Sequence, residues 1–222
     1  MYIRPNGTEQ KIRPTWWSPN ANTIAYYPFK WDVENKIDGA LATLGSGSSI
    51  WSDYATLNSS TMTCPMSATF DATSAFTYSI WINCYQMSYN PRIFSDSSSN
   101  PFTYLIIEWT HSDNPLAVIV NWSYDEHANY VGKLSGINTW NNIIIAYPWS
   151  WSNVYIYVNW VKYTYPNWFN SQTSANSIIY GNGNHPDYSY FYLSEMIVET
   201  KQWTDQEAVD YYNQTKWDYW IS

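Results

Sequence analysis

Two glutamates near the C-terminus, Glu195 and Glu199, have the residue type and spacing of a pair that could do acid–base chemistry. In an extended strand, residues two or four positions apart lie on one face, so both carboxyl groups could reach one cleft. Retaining hydrolysis of a glycosidic bond requires two carboxyl groups about 5–5.5 Å apart, one as nucleophile and one as general acid. An aliphatic residue, Ile197, lies midway between them, so the acidic pair has no third member.

An acidic loop could do a second kind of chemistry. Asp32, Glu34, Asn35 and Asp38 lie close together in the sequence, and Ca²⁺ prefers several hard oxygen ligands. The spacing differs from that of an EF-hand loop. A calcium site and a solvated acidic turn are therefore the two interpretations of this loop.

Other catalytic patterns do not occur. His111, His127 and His185 lie in polar loops, no Gly-x-Ser-x-Gly nucleophile elbow is present, and no Cys/His spacing fits a zinc site. Cys64 and Cys84 either form a disulfide or are two buried thiols. The N-terminus lacks the apolar core of a signal peptide, which favours free thiols.

Tyrosine is abundant, with 22 residues in a chain that is 20% aromatic. In the segment 154–158, VYIYV, aliphatic residues alternate with Tyr155 and Tyr157, which predicts a strand with an aliphatic core face and an outward tyrosine face. A tyrosine ring has an apolar face and a polar tip, which suits contact with sugars or proteins. The predicted ligand-binding stripe consists of Tyr155, Tyr157, Tyr163 and Tyr165. The alternative is a face that packs against a neighbouring subunit.

Apolar runs separated by turn residues predict the elements that position these side chains. Strands are predicted at 23–29, 61–70, 76–85, 92–94, 104–109, 116–122, 130–134, 143–145, 154–158, 161–163, 177–180 and 191–200. Thr204 and Glu207 form a capping-box pattern that begins a helix over 205–213, followed by an irregular tail. The pattern predicts an all-β, antiparallel β-sandwich with one short C-terminal helix.

The chain divides into an extended N-terminal arm at 1–22 and one domain at 23–222. The arm is either a tail or an anchor that docks onto a larger assembly. Ten Lys and Arg residues against 18 Asp and Glu give a net charge of −8, which argues against nucleic acid and anionic membranes as partners. No apolar run is long enough for a membrane span, and no signal peptide is recognisable.

Four segments, in order, resemble the laminin-G-like jelly roll of the concanavalin A-like lectin and glucanase group. Thr23–Phe29 (TIAYYPF) is similar to its opening strand, Phe76–Ile82 (FTYSIWI) to its F-T-x-S-x-W strand, and Trp140–Tyr163 to its W-x-x-I…Y-V-N-G hairpin. Phe191–Asn213 is similar to its closing strand, followed by W-T-D-x-E-x-x-x-x-Y-N. The resemblance implies a jelly-roll sandwich but no particular ligand, because this fold hosts lectins, enzymes and structural modules.

The resemblance also bears on both acidic sites. Glucanases of the group carry their catalytic acids as E-x-D-x-(x)-E on another strand, and Glu195 and Glu199 lie in the closing strand, so catalysis is not expected. Related jelly rolls often hold a structural Ca²⁺ near the loop after the opening strand, close to the closing strand. The resemblance therefore implies a metal site at Asp32, Asp38 and Glu195.

Tryptophan stands at several positions where the family has glycine. The family hairpin has Asn-Gly where this chain has Asn159–Trp160, and the type I′ turn of such a hairpin needs positive φ at both residues. Trp31, Trp149 and Trp151 also lie among turn residues. Glycine numbers only 8, about half its average share, against 15 tryptophans. Some bacterial lineages read the codon UGA as glycine, so these residues are either mistranslated glycines or true rings that stack on sugars or fill loop cavities.

Together these features favour a non-catalytic binding or structural module that contacts glycans or partner proteins of a larger assembly. We expect a virion or extracellular location, on a phage or virus-like particle surface or as a cell-surface adhesin. A homo-oligomer is compatible with such a module. The alternative is a carbohydrate-active enzyme or its free carbohydrate-binding module.

Overall fold

The computed structural model describes residues 17–71, 74–87, 92–95, 103–107, 115–120, 130–136, 138–148, 153–165, 174–181 and 189–219. These residues form a sandwich of two antiparallel sheets with one helix packed outside it, which confirms the predicted fold class. The strands are β1 Thr23–Tyr27, β2 Thr43–Leu44, β3 Ser48–Ile50, β4 Ala55–Asn58, β5 Met62–Asp71, β6 Phe76–Met87, β7 Arg92–Ser95, β8 Thr103–Ile107, β9 Pro115–Val120, β10 Tyr130–Lys133, β11 Trp140–Tyr147, β12 Val154–Val158, β13 Val161–Tyr165, β14 Ser174–Tyr180 and β15 Ser189–Glu199. The helix is α1, Asp205–Tyr219.

The two sheets are built from strands that are distant in sequence. The first, here called the helix-side sheet, has the order β13-β12-β11-β6-β15-β4-β3, with β1 also paired to β15. The second has the order β10-β9-β8-β7-β14-β5-β2. The central pairs β6–β15 and β15–β4 join segments from opposite ends of the chain, so residues far apart in sequence become neighbours on one face.

Successive side chains of β6 and of β12 point to opposite faces of the helix-side sheet. Ile80 and Ile82 of β6 and Ile156 of β12 are buried in the core between the two sheets. Trp81 of β6 and Tyr157 of β12 lie on the opposite face, in a second apolar cluster beneath α1. The predicted division of β12 into an aliphatic core face and a tyrosine outer face is therefore confirmed.

The capping box at the start of α1 is also confirmed. The backbone N–H of Glu207 donates to Thr204 Oγ1 at 3.2 Å, and the backbone N–H of Thr204 donates to Glu207 Oε2 at 2.8 Å. The predicted end at residue 213 is wrong, because α1 continues to Tyr219. The rings of Tyr212 and Tyr219 stack on Trp81 with centroids 5.8 and 4.3 Å away, so packing against the sheet stabilises the last turns.

Two further features agree with the sequence predictions. The β12–β13 turn has φ of 49° at Asn159 and 72° at Trp160, as a type I′ hairpin requires. Cys64 and Cys84 are buried and free, and burial raises the pKa of Cys84 to about 12.

The short strands β2, β3 and β4 lie in a segment of small polar residues where no strand was predicted. Within the described ranges, no helix is long and apolar enough to cross a membrane.

Candidate functional site

Glu195 lies at a bulge in β15, where the register to β6 shifts between Ser194 and Ile197. Its φ of 53° is unusual for a residue other than glycine. Its carboxylate is buried beneath α1, where the hydroxyls of Tyr219 and Tyr211 donate to Oε2 at 3.1 and 3.4 Å. Burial raises the pKa of Glu195, opposed by the positive charge of Lys30 and by the Tyr219 hydrogen bond. The carboxylate of Glu195 thus links α1 to β15 of the helix-side sheet.

Glu199, the second predicted acid, is also fully buried. Its Oε1 accepts hydrogen bonds from Asn20 Nδ2 at 2.7 Å and from Thr23 Oγ1 at 3.2 Å, and its Oε2 accepts one from Trp203 Nε1 at 2.7 Å. Both glutamates lie on the helix side of the sheet, as their spacing predicted. Each carboxylate is held by its own hydrogen-bond donors, so the pair does not have the exposed, mutually facing arrangement that glycosidase chemistry needs.

The structure does not bring the predicted calcium ligands together. Asp32 Oδ2 forms an ion pair with Lys36 Nζ at 2.9 Å, and Lys36 also contacts Glu34. Asp38 accepts a hydrogen bond from the backbone N–H of Ala40 at 3.0 Å, and Glu195 is occupied beneath α1. Within the part of the chain that the structure describes, no group of three His, Cys, Asp or Glu residues could hold a metal ion. The calcium site stays a prediction.

Three of the four tyrosines predicted to form one stripe have described side chains, and these three lie on two faces. Tyr155 and Tyr157 face α1, and Tyr157 is only 1% exposed. Tyr163 pairs with Ile156 and packs against the core between the sheets. Tyr165 pairs with Val154 in register. Tyr157 and Tyr163 therefore do not share one exposed face, because α1 covers one face of β12 and the second sheet covers the other. Ligand binding by the four tyrosines stays a prediction.

A different row of rings lies on the outer face of the helix-side sheet, beyond the end of α1. We call it the outer tyrosine strip: Tyr190, Tyr85, Tyr192, Tyr54 and Trp140. Successive ring centroids are 5.8, 4.4, 4.6 and 6.2 Å apart. All five side chains are half-buried. Five partly exposed rings thus lie together on this face of β6, β11, β15 and the loop before β4, and Tyr85 and Tyr192 stack on each other.

Polar groups accompany the outer tyrosine strip. Tyr190 pairs in register with Asn58 of β4 and Gln86 of β6, and both amide side chains are exposed. Tyr192 pairs with Thr56 and Asn83 on the same two strands. Thr56 Oγ1 and Asn83 Oδ1 are buried and have no hydrogen-bond partner among the described residues. This combination of ring faces, amides and unsatisfied oxygens is typical of a recognition surface.

Sequence reasoning missed the outer tyrosine strip, although one pattern pointed to it. In the segment 190–193, YFYL, tyrosine alternates with the core residues Phe191 and Leu193. That alternation places Tyr190 and Tyr192 on the outer face. The partners Tyr54 and Tyr85 come from distant segments and are recognisable only once the strands are paired.

Grooves also lie at two other places among the described residues. One, of about 390 Å³, lies between the exposed indoles of Trp160 and Trp217. The other, of about 290 Å³, is mostly polar and lies between residues 17–20 and α1, where it is lined by Glu199 and Lys201. The first depends on Trp160, whose positive φ is costly for an indole-bearing residue. The second is crossed by the ion pair between Lys201 and Glu207.

No protein-family model matches the sequence, and no curated protein matches it either. Comparison with solved structures finds β-sandwich domains of the jelly-roll kind. Domain 4 of AbnA, a GH43 extracellular arabinanase from Geobacillus stearothermophilus in complex with arabinotriose, has a TM-score of 0.63 and 19% identity over 86% of this chain and 98% of that chain.

Two further structures share the fold at lower identity. One is from work on botulinum neurotoxin type C, whose cell entry depends on interaction with two ganglioside molecules; it has a TM-score of 0.68 and 12% identity over 86% of this chain and 51% of that one. The Trypanosoma rangeli sialidase has a TM-score of 0.69 and 8% identity, over 92% of this chain and 34% of the sialidase. The chain thus spans about half of the toxin structure and a third of the sialidase. At these identities the likeness establishes the fold.

Proposed function

We propose that this chain is a non-catalytic glycan-binding module. The observation that carries the proposal is the outer tyrosine strip, in which half-buried rings on paired strands lie beside exposed amides. The apolar face of a sugar ring stacks on an aromatic ring, while the tyrosine hydroxyls and amides can bond to its hydroxyl groups. Rings fixed by a sheet lose little conformational entropy on binding, which favours recognition.

Two further observations support a binding role over catalysis. The acids Glu195 and Glu199 are buried and hydrogen-bonded beneath α1. The structural neighbours include a domain in complex with arabinotriose and a structure of botulinum neurotoxin type C, whose cell entry depends on interaction with two ganglioside molecules. We assign the domain to the laminin-G-like group on the four sequence segments described above.

We further propose that the module belongs to a larger assembly, on a virion surface or in a cell-surface adhesin. The predicted arm at 1–22 would join it to that assembly. Trp17 packs edge-on against Tyr26, with centroids 5.0 Å apart, and Asn20 bonds to Glu199, so the last part of the predicted arm contacts the domain. Residues 1–16 lie outside the described residues. We expect that deleting them leaves the domain folded but abolishes incorporation into the particle. A deletion variant that assembles normally would show that the arm is not an anchor.

A glycan array with the full chain tests the binding function. We expect signal on carbohydrate, loss of it in Tyr192→Ala, and no release of sugar from any bound polysaccharide. Binding that is unchanged in Tyr192→Ala would place the site elsewhere on the molecule. Hydrolysis that Glu195→Gln abolishes would show that the chain is an enzyme.

We also propose that positions 31 and 160 are glycine in the native protein, read from UGA codons. Trp31 and Trp160 have φ of 66° and 72° and are 78% and 60% exposed. By contrast, the indole N–H groups of Trp81 and Trp203 donate to Thr215 and Glu199, and both rings are buried. Peptide mass spectrometry of protein from its natural host distinguishes glycine from tryptophan at each position. Tryptophan at both positions would disprove the recoding.

A further inference from the structure

We infer that the outer tyrosine strip binds a neutral, soluble glycan as a single chain, lengthwise along its rings. This inference rests on the proposed glycan-binding function and adds the class of glycan and its direction. Three features of the strip support it: the tilt of its rings, the absence of charge among its five rings and two amides, and unsatisfied oxygen atoms beside its central ring.

The tilt of the rings decides between a single chain and a flat crystalline surface. Adjacent rings differ in orientation by 66° between Tyr85 and Tyr190, 22° between Tyr85 and Tyr192, and 42° between Tyr54 and Tyr192. A crystalline polysaccharide presents a flat array of sugar rings, which needs coplanar aromatic partners. Rings that turn relative to one another instead suit successive sugars of one twisted chain.

Charge decides between neutral and acidic sugars. The five rings and the amides of Asn58 and Gln86 carry no charge, and no Lys or Arg is among them. Asp53 lies beside the strip: burial, Tyr192 and Asp53 together raise the pKa of Tyr54. With the net charge of −8, Asp53 disfavours a carboxylated sugar here, and none of the five rings and two amides is a cation that could bind one. A neutral sugar avoids this repulsion.

Two buried oxygens lie next to Tyr192, the central ring of the strip. Thr56 Oγ1 and Asn83 Oδ1 belong to its register partners on β4 and β6, and neither has a hydrogen-bond partner among the described residues. The Asn83 side chain is only 8% exposed. A buried polar atom without a partner costs about 1–3 kcal/mol. Neither oxygen is exposed to solvent, so a sugar hydroxyl would satisfy it only after the Thr56 or Asn83 side chain rotates outward.

Isothermal titration of the full chain with soluble probes tests the inference. The probes are neutral linear arabinan, neutral mixed-linkage β-glucan and a sialylated oligosaccharide, with microcrystalline cellulose as a sedimentation probe. We expect binding to a neutral soluble probe and none to the sialylated or crystalline ones. Tyr192→Ala should bind roughly tenfold more weakly or worse. Tyr54→Leu should also weaken binding, because it keeps the apolar bulk and loses the flat ring.

Tyr26→Ala is the matched control, since Tyr26 is also a half-buried tyrosine on the outer face of the same sheet but packs against the cluster beneath α1. It should bind like the wild-type protein. Circular dichroism of each variant separates lost binding from lost folding.

The outcomes separate this inference from the proposed function. Wild-type protein that binds no carbohydrate at all overturns both. Preference for the sialylated probe, or sedimentation with cellulose, overturns the inference and leaves the binding function in place. The same holds if Tyr26→Ala abolishes binding and both strip variants retain it. A change of oligomeric state in Tyr192→Ala, with sugar binding intact, would make the strip a contact between copies of the chain.

Discussion

The hydroxyl of Tyr157 donates a hydrogen bond to Oδ1 of Asp205 at 2.6 Å and so joins the middle of β12 to the first turn of α1. Lys162, the cross-strand partner of Tyr157, reaches both oxygens of the same carboxylate at 2.6 and 2.9 Å. A negative charge at this end also interacts favourably with the helix dipole. Polar contacts therefore dock the start of α1, and ring stacking on Trp81 docks its end.

The stability that the contacts of Asp205 contribute should depend on pH. Hydrogen bonds from Lys162 and Tyr157 lower the pKa of Asp205 below its ordinary value of 3.8. A carboxyl group with a depressed folded pKa contributes stability above its unfolded pKa and loses that contribution as the pH falls through the folded pKa. We expect Asp205→Asn to melt below the wild-type protein at neutral pH, with a gap that closes in acid. Asp210→Asn is the control, since Asp210 bonds to exposed Gln206. A gap that is constant with pH would contradict this account.

Glu195 should show the opposite pH dependence. Burial raises its pKa above the ordinary value of 4.5. A group with a raised folded pKa contributes stability that is fully present below the unfolded pKa and is lost as the pH rises through the folded pKa. Urea unfolding should therefore show wild-type stability declining with rising pH over that window, while Glu195→Gln lacks the decline. If Glu195→Gln is less stable than the wild-type protein at neutral pH, the tyrosine hydroxyls stabilise the ionised carboxylate more than burial opposes it.

Unfolding free energies of variants can show which side chains of β12 face the core. Ile156 is fully buried between the sheets, so Ile156→Ala leaves a cavity and should cost about 2–5 kcal/mol. Tyr155→Ala should cost less, because its ring is only half-buried. Tyr157→Ala should also be costly, since α1 covers the ring and its hydroxyl bonds to Asp205. Chemical denaturation ranks the three variants. A greater loss for Tyr155→Ala than for Ile156→Ala would mean that the faces of β12 are exchanged.

Local patterns allowed most elements to be predicted. The alternation of VYIYV at 154–158 places Ile156 in the core, and Thr204 with Glu207 marks the start of α1 because capping depends on neighbours in sequence. The end of α1 could not be read in this way. Its last turns are polar in sequence, and Tyr219 is held by Trp81, a residue of β6.

The candidate site was harder to predict because it is assembled across strands. Tyr54, Tyr85 and Tyr192 meet only because β15 pairs with both β4 and β6. The bulge at Glu195 likewise depends on its fit to β6 and cannot be inferred from alternation. Tyr157 was correctly assigned to the outer face, but the sequence did not indicate that α1 would cover that face.

Glycine at position 160 should make the β12–β13 turn more stable. A left-handed conformation costs a residue with a Cβ atom about 1–2 kcal/mol relative to glycine, and Trp160 has φ of 72° in this turn. Its indole is 60% exposed, so little packing is lost on its removal. Trp160→Gly in the recombinant chain should therefore stabilise the fold by about 1 kcal/mol, which raises the melting temperature by about 2–4 °C in a protein of this size.

Trp51→Gly is the matched control for that variant. Trp51 is 57% exposed but is not among the residues with positive φ. Glycine there brings only the entropic cost of a freer backbone, about 0.5–1 kcal/mol, so Trp51→Gly should lower the melting temperature slightly. Trp31→Gly, at φ of 66°, should behave like Trp160→Gly. Differential scanning calorimetry of the three variants orders them directly. If Trp160→Gly is destabilised as much as Trp51→Gly, the indole at 160 makes contacts that outweigh the backbone strain, and the case for glycine at that position loses its energetic support.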